Sequence, residues 1–236
     1  MTQSGNIALN LTMQSRRMPI SHVLTVGNQA DVGIEECIEA LVGDPSVSAI
    51  GLHMEALGDV PRFEAVCRRA SEADVPVVVL KTGSSTLGAR IAVSHTSSMV
   101  GDATAYRVLF ERLGVRQVES IPELLDTLAV LDRLGGIPGR RLVSMSCSGG
   151  EASVVADRAE SMDLDFPAFD EGHGARIAGT LSELVSVSNP LDYHTFIWGD
   201  PGRLRATFTA VMDGPLDAAM LVLDFPSAGL DDSGWW

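Results

Sequence analysis

Positively charged residues are scarce in this sequence. It contains 17 Lys and Arg residues against 31 Asp and Glu residues, which gives a formal net charge of −14 at pH 7. Proteins that bind nucleic acid hold its phosphates with clustered Lys and Arg, so this balance argues against a nucleic-acid partner. Any phosphate group that the protein binds is therefore expected to be held by backbone dipoles rather than by a basic patch.

Cysteine, histidine and long apolar runs are also few. The three cysteines, Cys37, Cys67 and Cys147, form no CxxC pair, and no charged and then apolar leader precedes them. No run approaches the roughly 18 apolar residues that a membrane span needs. The 5 histidines show none of the HxH, HxxxH or HExxH spacings of metal sites. The sequence therefore predicts a soluble cytoplasmic protein with reduced thiols, no membrane contact and no metal site.

Short apolar runs alternate with longer amphipathic segments along the chain. Strands are predicted at 22–26, 48–54 and 75–81, and helices at 33–42, 61–73, 102–113 and 121–134. This alternation predicts an α/β protein with right-handed βαβ units and mostly parallel sheets. The Gly- and Pro-rich stretch "LGGIPGRR" (134–141) interrupts the pattern as a linker does, and it divides the chain into domains 1–135 and 136–236.

The second domain opens in the same way as the first. "TQSGNIALNL" (2–11) and "SCSGGEASVVADRAE" (146–160) each run from a strand end through Ser-Gly into an amphipathic helix, which indicates a duplicated unit. The candidate phosphate-binding residues are Ser4, Gly5, Ser148, Gly149 and Gly150. In each unit Ser can cap the helix, and free N–H groups with the helix dipole can face an anion. A last strand predicted within 217–226 has no helix after it, so we expect the second sheet to be incomplete.

The segment "SHTSSMVGD" (94–102) places His95 among Gly, Ser and Thr residues. From the pattern alone, His95 is either a solvated surface residue or a nucleophile on a segment that follows a strand. Glu55, in "LHMEALGD", also follows a strand, and it is either a solvated turn carboxylate or a group of the same site. Lys81 ends a strand, where it either extends toward solvent, pairs with a carboxylate or contacts an anion. Asp192 and His194, in "NPLDYH", are as consistent with a simple turn as with catalysis.

Five segments taken in order carry a resemblance to a known family: "TQSGN", "TVGNQADVGIEECIEAL", "LHMEALGD", "LKTGSSTLGARIAVSHTSSMVGD" and "SCSGGEASVVADRAE…SNPLDY". They resemble the succinyl-CoA synthetase-like domains of the NDP-forming acyl-CoA synthetases, of which the ADP-forming acetate–CoA ligases look nearest. The resemblance implies two flavodoxin-like domains, the second truncated. It also implies that His95 is a phosphohistidine and that Glu55 hydrogen-bonds its imidazole. Ser4, Gly5 and residues 148–150 then hold the phosphoryl group from two sides, and both helix starts are expected to face one cleft.

The same resemblance implies cofactors and partners that this sequence does not encode. CoA and ATP or ADP with Mg²⁺ are expected, bound mainly by a CoA-binding Rossmann domain and an ATP-grasp domain on other segments or subunits. The substrate is expected to be a small carboxylic acid, and the assembly an oligomer. Two alternatives stay open: a non-catalytic regulatory module, as in protein acetyltransferases with this fold, and a flavodoxin-like small-molecule binder.

Overall fold

The chain divides into two units, Met1–Gly136 and Ile137–Trp236. The computed structural model describes residues 1–13, 18–88 and 102–223. All three cysteines lie in these ranges and are free thiols. Within the same ranges, no helix has the length and apolar character that a bilayer crossing requires.

The first unit is built on parallel strands with helices on both faces. Its strands are β1 (Ile50–Met54), β2 (Val77–Lys81) and β3 (Arg116–Val118), and its helices are α1 (Gly5–Thr12), α2 (Ile34–Val42), α3 (Val60–Glu72), α4 (Ala103–Leu113) and α5 (Ile121–Leu134). The described strands lie in the order β1-β2-β3, with Ile50 opposite Val77 and Val78 opposite Arg116. The parallel α/β arrangement confirms the class predicted from the alternating pattern.

The prediction of a strand at 22–26 is wrong, because this segment does not form an extended element. Only Thr25 forms a bridge there, to Thr2, which forms a second bridge to His53. Backbone hydrogen bonds from Thr2 N to Leu24 O (2.9 Å) and from Val26 N to Thr2 O (3.1 Å) hold this pairing. The chain turns directly after Val26, where Gly27 has φ +52°. Residues 1–3 therefore lie between this segment and β1.

The apolar run in β2 is continuous because both faces of the sheet are covered. Val77 and Val79 pack with Phe63 of α3 and Phe110 of α4, whose rings meet edge to face at 6.2 Å. Val78 and Leu80 point the other way and pack with Val118 and with Leu124 of α5. Strands buried on both faces lose the polar alternation of a half-exposed strand. All four of these β2 residues are buried, so packing on both faces holds the strand and its carboxyl end in place.

Capping residues set the helix bounds in this unit. Asp59 accepts a hydrogen bond from Arg62 N (3.0 Å) at the start of α3, and Asp102 accepts from Thr104 N (2.9 Å) at the start of α4. At the other end, Gly114 follows α4 with φ +68°, a conformation that glycine adopts without steric cost. These caps are local sequence signals, and they explain why the predicted helix bounds agree closely with those observed.

The second unit repeats the plan on a smaller parallel sheet. Its elements are β4 (Leu142–Ser146), α6 (Gly149–Ser161), α7 (Glu171–Ala178), β5 (Leu191–Asp192), a 3₁₀ turn (Thr195–Ile197), α8 (Pro201–Met212) and β6 (Ala218–Leu221). The described strands lie in the order β5-β4-β6. Asn189 donates to Leu142 O (2.8 Å) and accepts from Ser144 N (3.3 Å), which ties the chain before β5 to β4. Met145, Ile177 and Tyr193 belong to its core.

Candidate active site

A half-buried carboxylate with one fully buried oxygen lies at the carboxyl edge of the first sheet. Glu55 directly follows β1, and its Oε2 atom is buried without a hydrogen-bond partner among the residues that the structure describes. The backbone N–H groups of Glu55 and Ala56 both donate to the Gln3 side-chain oxygen, so the turn itself is fixed. Removing a carboxylate oxygen from water without a replacement donor costs free energy. Glu55 therefore has the capacity to accept a hydrogen bond from another group.

Side chains from distant segments brace the turn that carries Glu55. Gln3 Nε2 and Gln29 Nε2 both donate to the Ala56 carbonyl, at 3.0 and 3.1 Å. The Tyr106 hydroxyl accepts from Leu57 N–H at 3.0 Å. The sequence interpretation assigned no role to these side chains. Gln29 lies in "VGNQADV" with φ +56°, and its Oε1 accepts from Ile34 N at 3.0 Å, so both ends of its amide are paired.

Lys81 ends β2 beside Glu55 and is buried. Only 6% of the residue is exposed, so it does not extend toward solvent. Its Nζ donates to Thr82 O at 2.5 Å and lies 4.7 Å from the centre of the Tyr106 ring. Burial lowers the pKa of Lys81, while the negative charge of Glu55 acts in the opposite direction. Of the three interpretations open from sequence, this burial excludes extension toward solvent, whereas pairing with a carboxylate and contact with an anion both stay predictions.

A buried histidine joins two hydroxyl groups at the same edge of the sheet. His53, in β1, is 1% exposed; its Nδ1 lies 3.0 Å from Thr2 Oγ1 and its Nε2 lies 3.1 Å from Thr82 Oγ1. Burial, with the positive charges of the Met1 ammonium group and of Lys81 acting in the same direction, lowers the pKa of His53 to about 4. The imidazole is therefore neutral at pH 7. Sequence analysis missed it, although a polar residue within an apolar strand run was the available signal.

The start of α1 presents unpaired backbone donors. Ser4 caps the helix, with its Oγ accepting from Ile7 N at 3.5 Å, and its own N–H donates to Thr2 Oγ1 at 3.0 Å. Within the described part of the chain, the N–H groups of Gly5 and Asn6 have no acceptor. A Cβ at Gly5 would meet nothing within 4 Å, so the space in front of this helix start is open. The arrangement suits an anion, with Gly5 and Asn6 rather than Ser4 supplying the free N–H groups.

The start of α6 in the second unit shows a similar arrangement. The predicted side-chain cap at Ser148 is wrong, because its hydroxyl accepts no hydrogen bond from the first turn of the helix. In the described ranges the N–H groups of Gly149 and Gly150 have no acceptor. A Cβ at Gly149 would lie 3.3 Å from Asp192 Oδ2, so glycine allows the end of β5 to approach the helix start closely.

Asp192 and His194 form a local turn at the end of β5. Asp192 Oδ1 accepts from His194 N at 2.9 Å, and Asp192 Oδ2 lies 3.5 Å from His194 Nε2. The imidazole stacks on Phe196 with a centroid distance of 5.3 Å and an interplanar angle of 8°. An Asp side chain bonded to the backbone two residues on is a common turn device, which accounts for this geometry.

His95 lies outside the described residues, as does the rest of 89–101, so its role stays a prediction. The described chain enters this segment from β2 through Gly83, which has φ +76°, and leaves it at Asp102, the cap of α4. The expectation that both helix starts face one cleft also stays a prediction. In residues 1–13, 18–88 and 102–223, no group of three His, Cys, Asp or Glu side chains could hold a metal ion.

Comparison with known proteins defines the class. Residues 1–131 match the family described as the succinyl-CoA ligase like flavodoxin domain, and the chain belongs to this family. The resemblance to ADP-forming acyl-CoA synthetases is confirmed by the curated relatives. Acetate–CoA ligase [ADP-forming] I subunit alpha of Pyrococcus furiosus is 30% identical over 194 residues, covering 81% of this chain and 41% of the relative.

Another relative is named for a different acid. Trans-feruloyl-CoA synthase FCS1, from an unknown prokaryotic organism, is 28% identical over 235 residues, covering 97% of this chain and 33% of the relative. The chain therefore spans less than half the length of these curated relatives.

A solved structure shows the same fold. The dinucleotide forming acetyl-coenzyme A synthetase 1 of Ca. Korarchaeum cryptofilum, in complex with phosphate and ADP, matches with a TM-score of 0.82 at 24% identity. The match covers 93% of this chain and 48% of that protein.

Proposed function

We propose that this chain is the central part of an NDP-forming acyl-CoA synthetase, which relays phosphate between an acyl phosphate and ADP or ATP through a phosphohistidine at His95. In the full enzyme this relay accompanies the joining of an acid and CoA as a thioester. Membership of the succinyl-CoA ligase like family and the ADP-forming names of several relatives support the proposal.

The observation that carries the proposal is the buried, unpaired carboxylate oxygen of Glu55. It lies at the carboxyl edge of the sheet, where doubly wound folds place their sites. The segment that contains His95 begins a few residues beyond β2, a strand that pairs with β1 along its whole length. An imidazole N–H that reaches Glu55 would supply the missing donor, and the hydrogen bond would fix the tautomer whose other nitrogen is the nucleophile.

The chemical step uses a neutral imidazole. The unprotonated ring nitrogen of His95 attacks the phosphorus of the acyl phosphate, the bond from phosphorus to the acyl oxygen breaks, and the carboxylate leaves. Glu55 accepts a hydrogen bond from the N–H on the other ring nitrogen and stabilises the positive charge that develops there. In the transfer to ADP, an oxygen of the ADP β-phosphate attacks the phosphorus and the P–N bond breaks, which gives ATP with a free imidazole.

Phosphate is held by the helix starts. Ser4 and Gly5 open α1, and Ser148, Gly149 and Gly150 open α6; each helix start carries a partial positive charge of about half a unit. Such helix starts would let a chain with a net charge of −14 bind phosphate without a basic patch.

The remaining parts of the reaction belong to other segments or subunits. CoA is assigned to a CoA-binding Rossmann domain, and ATP or ADP with Mg²⁺ to an ATP-grasp domain, which is consistent with the small share of the relatives' length that this chain covers. The substrate is a small carboxylic acid; relatives are named for acetate and for ferulate. The proposed assembly is an oligomer in the cytoplasm.

The test is phosphorylation of the chain by radiolabelled acetyl phosphate, alone and with the CoA-binding and ATP-grasp parts of a relative. The expected product is an acid-labile, base-stable label that His95→Ala removes without loss of the folded state. His22→Ala and His194→Ala replace partly exposed histidines and serve as controls that keep the label. Undiminished labelling of His95→Ala would contradict the proposal, and absence of any label in all samples would favour a non-catalytic module.

A further inference from the structure

A buried hydrogen-bonded chain connects the start of α1 with the ends of β1 and β2. His53 lies at its centre, between the hydroxyls of Thr2 and Thr82. Beyond His53, Thr2 Oγ1 accepts from Ser4 N at 3.0 Å and lies 3.2 Å from Ser4 O. At the other end, Thr82 Oγ1 lies 3.4 Å from Met54 O. The chain therefore runs from the cap of α1 to the residue that precedes Glu55.

A neutral imidazole has one donor and one acceptor nitrogen, so this chain has two complementary arrangements. With the proton on Nδ1, the Thr82 hydroxyl donates to Nε2, Nδ1–H donates to Thr2, and the Thr2 hydroxyl donates to Ser4 O. With the proton on Nε2, the directions reverse, and the Thr82 hydroxyl donates to Met54 O. Both arrangements pair both ring nitrogens. The first has the shorter terminal contact, 3.2 Å against 3.4 Å.

The two arrangements carry opposite dipoles. In the Nδ1–H form the donors point from Thr82 toward Ser4, which places the positive end of the chain at the start of α1. In the Nε2–H form they point toward Met54 O, beside Glu55. An anion at the free N–H groups of Gly5 and Asn6 therefore stabilises the first form, and negative charge at Glu55 stabilises the second.

We propose that His53 is a positioning residue whose tautomer couples anion binding at the start of α1 to the hydrogen bonding at the ends of β1 and β2. This rests on the proposed function, since it takes the start of α1 as a phosphate-binding element. A buried Leu of similar volume would leave both Thr hydroxyls without their central partner. A Gln retains one donor and one acceptor and can reverse them by an amide flip, so it should preserve the coupling.

The test uses the polypeptide uniformly labelled with ¹⁵N, with inorganic phosphate added at pH 7.5. Long-range ¹H–¹⁵N correlation identifies which nitrogen of His53 carries the proton, and the amide peaks of Gly5 and Asn6 report phosphate binding. We expect a neutral His53 whose Nδ1–H population rises as phosphate binds. Thr82→Val is expected to abolish this response and to weaken phosphate binding about 2- to 10-fold, the effect of losing one hydrogen bond.

Matched variants separate coupling from general destabilisation. Thr207→Val removes another buried threonine hydroxyl, which donates to Thr180 at 3.0 Å in the second unit, and should leave phosphate affinity unchanged. His53→Gln should keep the affinity within about twofold, whereas His53→Leu should lose it by at least as much as Thr82→Val. If His53→Leu does not fold, the phosphate affinities of Thr82→Val and His53→Gln still test the coupling.

The outcomes distinguish this inference from the proposed function. Amide shifts at Gly5 and Asn6 with an unchanged His53 tautomer, or equal phosphate affinity in Thr82→Val and Thr207→Val, would overturn the coupling alone. No amide shift at any phosphate concentration would contradict both the phosphate site and the coupling. In His95→Ala the coupling should persist, because His95 does not belong to the hydrogen-bonded chain. Undiminished labelling of His95→Ala, with the coupling retained, would count against the phosphohistidine only.

Discussion

Acidification should destabilise the first unit in part through one buried residue, His53. The side chain is 1% exposed, and burial lowers its pKa from the ordinary 6.5 to about 4. In the unfolded chain the same imidazole takes up a proton near pH 6.5. Between these two values the unfolded state binds the proton and the folded state does not. The contribution of His53 to stability therefore falls as pH falls through this window and is constant above it.

The size of the effect follows from the difference between the two pKa values. One pKa unit corresponds to about 1.4 kcal/mol, so the lowering of the His53 pKa amounts to about 3 kcal/mol once pH is below the folded-state value. At pH 5 the linkage relation gives about 2 kcal/mol of this loss. Such a loss is a large fraction of the roughly 5–15 kcal/mol that stabilises a typical domain.

Urea unfolding at pH 7.5, 6 and 5 measures this loss, with NMR peaks of β1 and β2 as the report on the first unit. His53→Gln is the control, because Gln keeps a donor and an acceptor but does not titrate. Carboxylates with lowered pKa values, such as Glu36 and Asp44, add the same acid sensitivity to both proteins. Their contribution cancels when the unfolding free energy of His53→Gln is subtracted from that of the unsubstituted protein. Equal pH dependence in the two proteins would refute a buried, neutral His53.

Three further predictions follow from single positions. Glu55→Gln should slow labelling of His95 by about 100-fold, because the amide cannot stabilise the developing imidazolium. Glu72→Gln, at an exposed carboxylate that ends α3, should leave the labelling rate unchanged. Equal labelling rates in the two variants would show that Glu55 is a structural carboxylate. Gly149→Ala places a methyl 3.3 Å from Asp192 Oδ2 and should slow the same labelling about tenfold, comparable to losing one hydrogen bond. Gly174→Ala, in α7 of the same unit and with nothing within 4 Å of its Cβ, should label normally; a matching loss there would point to general destabilisation instead. Gly214→Ala places a Cβ 2.5 Å from the ring of buried His173 and should lower the free energy of unfolding of the second unit in urea by about 1–3 kcal/mol. Gly174→Ala, with nothing within 4 Å of its Cβ, should be neutral or stabilising. Unchanged stability of Gly214→Ala would show that the His173 ring can move.

Local pattern was enough to predict most of the helices and central strands. Asp59, Asp102 and Ser120 cap their helices through hydrogen bonds to residues two or three positions away, so the signal lies within each segment. The exceptions depended on partners elsewhere in the chain. Residues 22–26 have the composition of a strand, but in the described chain they pair only around Thr2. Ser148 has the right residue type for a cap, but its hydroxyl does not bond the first turn.

The sequence by itself determined the α/β class, the paired Ser-Gly helix starts and the family, because alternating periodicity and short motifs are properties of contiguous residues. Only the tertiary structure decided which polar side chains meet. Thr2 and His53 are 51 residues apart, His53 and Thr82 are 29 apart, and Gln3 reaches the Glu55–Ala56 turn across more than 50 residues. Parallel pairing brings the carboxyl ends of separate strands to one edge, and burial there leaves Glu55 with an unpaired oxygen and His53 with a lowered pKa. Neither burial nor pairing can be read from the residues alone, because each depends on neighbours that folding supplies.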